Sequence, residues 1–155
     1  MAWRTPIYDR TQQDVDYVIE LAEKLRLDTI TSEEYNMWRR TQLKGSLNSD
    51  DIVRVRDNIA YLAEKTYTSI DTDYSGPSYF KDVDYQRLLN NLNAIRNGYL
   101  VYWTTPQTPI RPLNTYQKWN DIEKIIADIK ELVDNNVSAS YYANDNYYGD
   151  DNFLI

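Results

Sequence analysis

The fold class is decided by the stretch Leu43-Lys-Gly-Ser-Leu-Asn-Ser-Asp-Asp-Ile-Val-Arg-Val-Arg-Asp-Asn-Ile-Ala-Tyr-Leu-Ala-Glu-Lys65. Its apolar residues recur at steps of three and four, the period of one helix face: Ile52, Val55, Ile59, Leu62 and Ala63. Asn48 can cap this helix, and Asp50 and Asp51 in its first turn suit the helix dipole. The stretch predicts a helix that runs to about residue 67 and buries one face.

Two helices are predicted before this stretch. Thr11 can cap a helix over 11–26, whose apolar residues have helical spacing: Val15, Val18, Ile19, Ala22 and Leu25. Thr31 and Glu34 form a capping box that begins a shorter helix. Its apolar members are Tyr35, Met37, Trp38 and Leu43. Gly45 is predicted to stop that helix.

Two more helices are predicted after it. Asp82 can cap a helix that ends at Gly98, with these apolar residues along it: Val83, Tyr85, Leu88, Leu89, Leu92 and Ile95. The segment 115–134, ended by Asn135-Asn136, carries the most regular apolar stripe: Tyr116, Trp119, Ile122, Ile125, Ile126, Ile129, Leu132 and Val133. The segment 99–103 is either a short strand or a last helical turn. Glycine, proline and polar residues predict loops over 68–82 and 104–112.

The predicted architecture is therefore all-α, a small bundle of four longer helices and one short helix over 11–135. An extended N-terminal arm covers 1–10, where Pro6 disfavours helix. An irregular tail covers 136–155 and is rich in Tyr, Asn and Asp. Its composition is compatible with disorder in isolation or with docking on a partner. The predicted partner-binding residues are Trp3, Ile7, Tyr8, Tyr141, Tyr142, Tyr147, Tyr148, Phe153, Leu154 and Ile155.

Composition narrows the possible functions. The formal charge of -7 disfavours nucleic-acid binding through phosphate contacts. The chain has no Cys and no His, which removes thiolate metal sites, the commonest zinc ligand and every His-dependent triad. No signal peptide or transmembrane segment is expected. The sequence thus predicts no cofactor, no membrane partner and no catalytic residues.

Two acidic patterns could be either functional sites or ordinary turns and helix caps. Residues 71–82 open like a calcium loop, with Asp71, Asp73 and Gly76 in place, but Asp82 replaces the terminal Glu. An ordinary polar turn is the alternative, and it is favoured because short acidic motifs often match by chance. The pairs Glu33-Glu34 and Asp50-Asp51 follow helix starts, where they cap rather than act as glycosidase carboxylates.

A short pattern recurs in three predicted helices. Asp57-Asn58-Ile59, Asn90-Asn91-Leu92 and Asn120-Asp121-Ile122 each precede a further apolar residue three positions on. Asn disfavours helix interiors because its amide competes with the backbone. The pattern is either chance in a chain rich in Asn and Asp, or a set of amides that bind neighbouring loops or helices.

Three segments, spread in order over most of residues 3–134, resemble virion structural proteins of phages and prophages of Gram-positive bacteria. They are Trp3-Arg-Thr-Pro-Ile-Tyr-Asp-Arg-Thr-x-x-Asp-Val-x-Tyr17, Leu43-Lys-Gly-Ser-Leu-Asn-x-x-Asp51 with Asp57-Asn-Ile-Ala-Tyr-Leu62, and Leu113-Asn-Thr-Tyr-Gln-Lys-x-Asn-Asp-Ile-Glu-Lys124. In that group such a helical domain often begins longer proteins of the tail or fibre. This chain stops after the helical domain, which favours an adaptor over a receptor-binding protein.

The resemblance implies a non-enzymatic structural component of a virion, made in the host cytoplasm. It would be an adaptor of the tail, baseplate or fibre attachment, with other virion proteins as partners and several copies in the particle. The terminal arms would dock neighbouring subunits. The alternative is a free cytosolic acidic protein that binds or inhibits a basic partner.

Overall fold

The computed structural model describes residues 2–40, 43–76 and 79–149, and within 137–149 it describes the backbone only. Five helices follow one another: α1 (Gln12–Arg26), α2 (Ser32–Arg39), α3 (Ser49–Lys65), α4 (Asp82–Gly98) and α5 (Tyr116–Gly149). No strand occurs within these ranges. The predicted all-α bundle of four longer helices and one short one is confirmed.

The core is built from three of the five helices. α3 packs against both α4 and α5, and α4 also contacts α5. The buried apolar cluster takes the predicted stripe of each helix, closed by Phe80 from the preceding loop: Ile52, Val55, Ile59, Leu62, Ala63, Leu88, Leu89, Leu92, Ile95, Trp119, Ile122, Ile125, Ile126, Ile129 and Val133. The helical period alone therefore located the core of α3, α4 and α5.

α1 and α2 form a hairpin outside that core. They contact each other, and neither contributes a residue to the buried apolar cluster. Leu21 is the one fully buried apolar side chain of α1, and α2 has none. The predicted α1 stripe is only half-buried or exposed, because no third helix covers it within the described part of the chain.

The predicted helix starts are mostly confirmed, with different capping atoms. Thr11 caps α1 as predicted and also forms a capping box with Asp14, and Thr31 has the predicted capping box. At α3 the Asp51 carboxylate accepts a 2.9 Å bond from the Asn48 N–H, whereas the Asn48 side chain caps nothing. At α4 the N-cap residue is Lys81 rather than Asp82, because the carboxylate that binds the cap N–H belongs to Asp84.

Two predicted helix ends are wrong. α5 continues through Asn135-Asn136 to Gly149, because no Pro or Gly interrupts 136–148 and Asn only weakly disfavours helix. Most of the segment predicted as an irregular tail is therefore helical. α2 ends at Arg39, so Leu43 is not part of it. Gly45 lies in a later turn, where an added Cβ would fall 2.1 Å from the Asp14 carbonyl oxygen.

Candidate functional site

The N-terminal arm lies along a polar seam between α3 and α5. The seam consists of Asp51, Arg54 and Asn58 on α3 and of Asn120 and Glu123 on α5. On each helix these residues recur at steps of three or four, so they form one polar face beside the apolar stripe. Four of the five are buried, and Asn120 is half-buried. A polar face that is closed off from water needs internal partners, and the arm supplies them.

A buried ion cluster joins the arm to both helices. Arg54 Nη2 lies 2.6 Å from Asp51 Oδ1 and 2.5 Å from Glu123 Oε1. Arg10 Nη2 from the arm reaches the same two oxygens at 3.3 and 3.6 Å. Two guanidinium groups thus share two carboxylates, and the cluster is formally neutral.

Burial shapes the protonation of this cluster. It raises the pKa of the Glu123 carboxyl, an effect that Arg54 opposes. Burial disfavours the charge of Arg54 as well, but Glu123 and Asp51 outweigh it and raise the guanidinium pKa. Desolvation and attraction therefore act in opposite directions on these buried groups, as they do in buried ion pairs generally.

Two seam asparagines bind the arm through its backbone. Asn58 Oδ1 accepts from the Arg4 N–H at 2.9 Å, and Asn58 Nδ2 donates to the Arg4 carbonyl at 2.7 Å. Asn120 binds Arg10 in the same way, at 3.2 and 2.9 Å. Between them, the Ile7 N–H donates to Glu123. The bound N–H groups recur every third residue, so the seam recognises one side of an extended chain.

A third asparagine, Asn91, binds the backbone of the loop before α4. Asn91 on α4 accepts from the Asp71 N–H at 2.9 Å and donates to the Asp71 carbonyl at 2.7 Å. In each of the three helices, an amide of the recurring pattern therefore binds both backbone groups of one residue in a neighbouring segment, although Asn120 stands one position earlier in the pattern than Asn58 and Asn91. The interpretation that these amides bind loops is confirmed.

The predicted partner residues of the arm lie on the chain's own helices. Trp3 packs against Tyr61 with 5.5 Å between ring centroids, and Lys130 Nζ lies 5.2 Å from the centroid of the Trp3 ring. Tyr8 is 44% exposed, and Lys124 Nζ lies 5.2 Å from its ring centroid. Ile7 is half-buried. Their binding to a partner stays a prediction.

The predicted partner residues of the tail are only partly within the described chain. The backbones of Tyr141, Tyr142, Tyr147 and Tyr148 belong to α5, but their side chains lie outside the described part. Phe153, Leu154 and Ile155 lie outside the described residues altogether. Nothing in the structure tests these predictions.

The α1–α2 hairpin presents apolar residues to solvent. The most exposed are Ile19 at 60%, Leu27 at 54% and Met37 at 48%. The hairpin itself is held by polar contacts, since Lys24 Nζ bonds Glu34 at 2.6 Å and also pairs with Glu20. The hairpin is thus fixed by ion pairs while several of its apolar side chains are open to solvent.

A tight turn displays a tryptophan that the sequence did not single out. Trp103 is 96% exposed in the turn Tyr102–Thr105, which the Thr105 N–H closes on the Tyr102 carbonyl at 3.0 Å. Thr105 Oγ1 donates at 2.7 Å to the buried Asp128 carboxylate, whose other oxygen pairs with Lys124 at 2.7 Å. Arg96 binds the carbonyls of Thr105 and Pro106. The turn is thus fixed to α4 and α5 while its indole is open to solvent.

Two cavities border the arm. One, of about 300 Å³, lies between Arg10, the 44–47 turn and the start of α5, with Val15, Leu113 and Trp119 among its lining residues. The other, of about 800 Å³, follows the outer side of the arm along α5 to Asn135. Within the described residues neither cavity brings together groups that resemble a catalytic set.

The acidic loop before α4 is organised by protein contacts. Asp71 Oδ2 bonds Arg87 at 2.7 Å, and Asp71 Oδ1 accepts from the Asp73 N–H at 2.9 Å. The Arg87 hydrogen bond holds the Asp71 pKa below its usual value. The Ser75 N–H binds Asp84. In the described part of the chain, no three acidic side chains converge as metal ligands.

Comparison with known proteins gives no relatives. No protein-family model matches the chain, and neither curated proteins nor solved structures give a match. Among the helices that the structure describes, none is both long and apolar enough to cross a membrane. The candidate site therefore rests on the geometry of the seam, the hairpin and the Trp103 turn.

Proposed function

We propose that this chain is a non-enzymatic structural component of a bacteriophage virion, an adaptor in the tail, baseplate or fibre attachment region. The observation that supports it best is that the α1–α2 hairpin lies outside the core and leaves the apolar side chains of Ile19, Leu27 and Met37 exposed. A subunit built for assembly has such surfaces, because they are buried only when neighbouring subunits are in place.

The polar groups of the seam agree with a structural role. The two carboxylates of the ion cluster each bind Arg54, and Glu123 also binds the arm backbone. Each seam amide binds both backbone groups of one arm residue, Arg4 or Arg10. The buried charged and amide side chains of the seam thus hold the arm in place. This agrees with the structural role that the resemblance to virion proteins of Gram-positive phages implies.

The arm and the tail belong to this proposal as docking segments. The inner side of the arm is bound to its own chain, so a neighbour would meet its outer side, where Tyr8 and the 800 Å³ cavity lie. The tail would act through Tyr141, Tyr142, Tyr147, Tyr148 and the terminal Phe153-Leu154-Ile155.

Mass spectrometry of purified particles tests the proposal directly. The chain should be present at a level comparable with other particle proteins, and its absence from intact particles would refute the structural role. An Ile19→Glu variant should fold normally but fail to incorporate, whereas Gln13→Glu, on an exposed position of the same helix, should incorporate. Deletion of 137–155 with unchanged incorporation would remove the tail from the proposal.

A further inference from the structure

The seam has an unbalanced charge when the arm is not counted. Its buried ion cluster holds the carboxylates of Asp51 and Glu123 but only one guanidinium of its own, that of Arg54. Arg10 of the arm supplies the second positive charge, with Nη2 3.3 Å from Asp51 Oδ1 and 3.6 Å from Glu123 Oε1. An unpaired buried charge is costly. The seam therefore needs a segment that brings one cation to this position.

The shape of the site favours arginine as that cation. Arg10 Nη1 also donates to the Ile7 carbonyl at 2.6 Å, so one guanidinium contacts two carboxylates and its own backbone. A planar fork of donors suits several acceptors at once, whereas a lysine ammonium is a compact point charge. Six residues earlier, Arg4 Nη2 contacts both oxygens of Asp50 at 3.0 and 2.8 Å. That pair is exposed and contributes less.

The remaining polar contacts of the seam are made with backbone groups. Asn58 and Asn120 each bind the N–H and carbonyl of one arm residue, and Glu123 accepts from a third N–H. Backbone contacts select an extended conformation but not a side chain. The ligand class of the seam is therefore an extended segment with two arginines six residues apart, of which the second is buried.

The arm makes the buried connection between residues 2–40 and the core. Beyond the arm, α1 and α2 contact each other and give no residue to the buried apolar cluster. A cavity of about 300 Å³ lies between Val15 of α1 and Trp119 of α5. The start of α1 instead approaches the chain before α3, at Gly45. Removing the arm from the seam would thus leave the packing of α3, α4 and α5 intact.

We propose that the seam is an exchangeable binding site, and that the arm of a second copy of this chain occupies it in the assembled state. The exchanged arm makes the same contacts as the chain's own arm, so exchange sacrifices none of them. Charge favours this occupant, because residues 2–10 contain two Arg and one Asp whereas the whole chain has a formal charge of -7. Reciprocal exchange closes a two-fold dimer, and one-way exchange links copies in an open series.

The inference deepens the proposed function, on which it rests, by naming the site on a neighbouring copy that receives the arm. Exchange leaves the outer side of the arm, with Tyr8, free for the docking proposed above. Concentration decides which arm is bound, because a segment tethered to its own site has an effective concentration of order mM. A chain's own arm is therefore bound in dilute solution, and exchange requires copies that are crowded together.

Cross-linking between copies of the full chain tests the exchange. The chain has no Cys, and Asp9 Oδ2 of the arm lies 2.7 Å from Lys44 Nζ, with both side chains exposed. Asp9→Cys and Lys44→Cys copies are mixed, unfolded in urea, refolded together and treated with a short bis-maleimide. A covalent pair of one copy of each should be abundant after refolding at about 1 mM and more than tenfold scarcer at about 10 µM.

A matched pair of copies controls for random collisions. Asn90→Cys, on an exposed position of α4, replaces Lys44→Cys and should give little covalent pair with Asp9→Cys. Circular dichroism should confirm that every variant folds. If no Asp9→Cys with Lys44→Cys pair forms at about 1 mM, or if the Asn90→Cys mixture gives as much, the exchange is refuted.

The arginine selection is tested in the copy that donates the arm. Arg10→Lys added to the Asp9→Cys copy should lower the mixed pair by roughly tenfold, because its arm competes with the wild-type arm of the Lys44→Cys copy and loses charged hydrogen bonds. Arg4→Lys should lower it by less than about threefold, because that ion pair is exposed. Equal yields from Arg10→Lys and wild-type arms would refute the selection of arginine.

Particle analysis separates this inference from the proposed function. If the mixed pair forms and the chain is found in particles, both stand. If the chain is found in particles but no mixed pair forms, the structural role holds and arm exchange is refuted. If the mixed pair forms but the chain is absent from particles, arm exchange holds and the virion role is refuted.

Discussion

Replacing Asn58 by Ala should free the start of the N-terminal arm and lower the free energy of unfolding by about 1.5–4.5 kcal/mol. The two hydrogen bonds to Arg4 contribute about 0.5–1.5 kcal/mol each. Trp3 is next to Arg4, and loss of its ring contact with Tyr61 adds about 0.5–1.5 kcal/mol. For a domain of this size the melting temperature should fall by roughly 3–18 °C.

Asn58→Asp sharpens this test because it changes one atom. The new oxygen would face the Arg4 carbonyl where the amide now donates at 2.7 Å, in a position that is 1% exposed. At neutral pH this variant should be less stable than Asn58→Ala. Its carboxyl pKa should be higher in the folded state than the unfolded value of about 3.9, so its stability deficit should shrink as the pH falls.

Urea unfolding followed by tryptophan fluorescence measures both variants, and limited trypsin cleavage after Arg4 reports release of the arm. Asn90→Ala is the matched control, because Asn90 is an asparagine of the same recurring pattern whose side chain is exposed on its helix. Its effect should stay below about 0.5 kcal/mol. If Asn58→Ala and Asn90→Ala unfold at the same urea concentration, the seam does not hold the arm as argued.

Three further predictions concern single positions. Tyr67 has φ 54° at the end of α3, so Tyr67→Gly should raise stability by about 1 kcal/mol in urea unfolding, and an unchanged or lower midpoint would contradict this. Gly45→Ala should lower the melting temperature because its Cβ would meet the Asp14 carbonyl, and a neutral result would show that the turn can move freely. Burial opposes the charge of Asp84, but bonds from the Lys81 and Ser75 N–H groups lower its pKa below 3.8. Its contribution is therefore present above pH 3.8 and lost as the pH falls further, so the stability gap between wild type and Asp84→Asn should narrow there.

The sequence predicts the buried core correctly for those helices whose apolar stripe packs against two other helices. Ile59, Leu92 and Ile126 were located by period alone, since a stripe on α3, α4 or α5 meets two other helices. Ile19 has the same spacing in α1 but remains 60% exposed, because periodicity shows which face is apolar and not what covers it. For the same reason the exposure of Trp103 could not be predicted, because it depends on how the turn is fixed to α4 and α5.

The seam was missed for a different reason. Charged residues are mostly exposed, so Arg54 and Glu123 were assigned no role. One signal was present: Glu123 follows Trp119 by four positions and precedes Ile126 by three, which places a carboxylate on the apolar face of α5. A charge at such a position requires a buried counter-charge, but the sequence does not show that Arg10 supplies it from 113 residues away.

The residues that stabilise the fold through the arm differ from the exposed residues proposed to contact partners. The inner side of the arm is bound by Asn58, Glu123 and Asn120, so changes there act on folding of the single chain. The side chain of Ile19 is largely exposed, so changes there should leave the free energy of unfolding within about 0.5 kcal/mol of wild type. Because the two sets do not overlap, a variant that loses assembly while keeping its stability can be assigned to a lost partner contact rather than to misfolding.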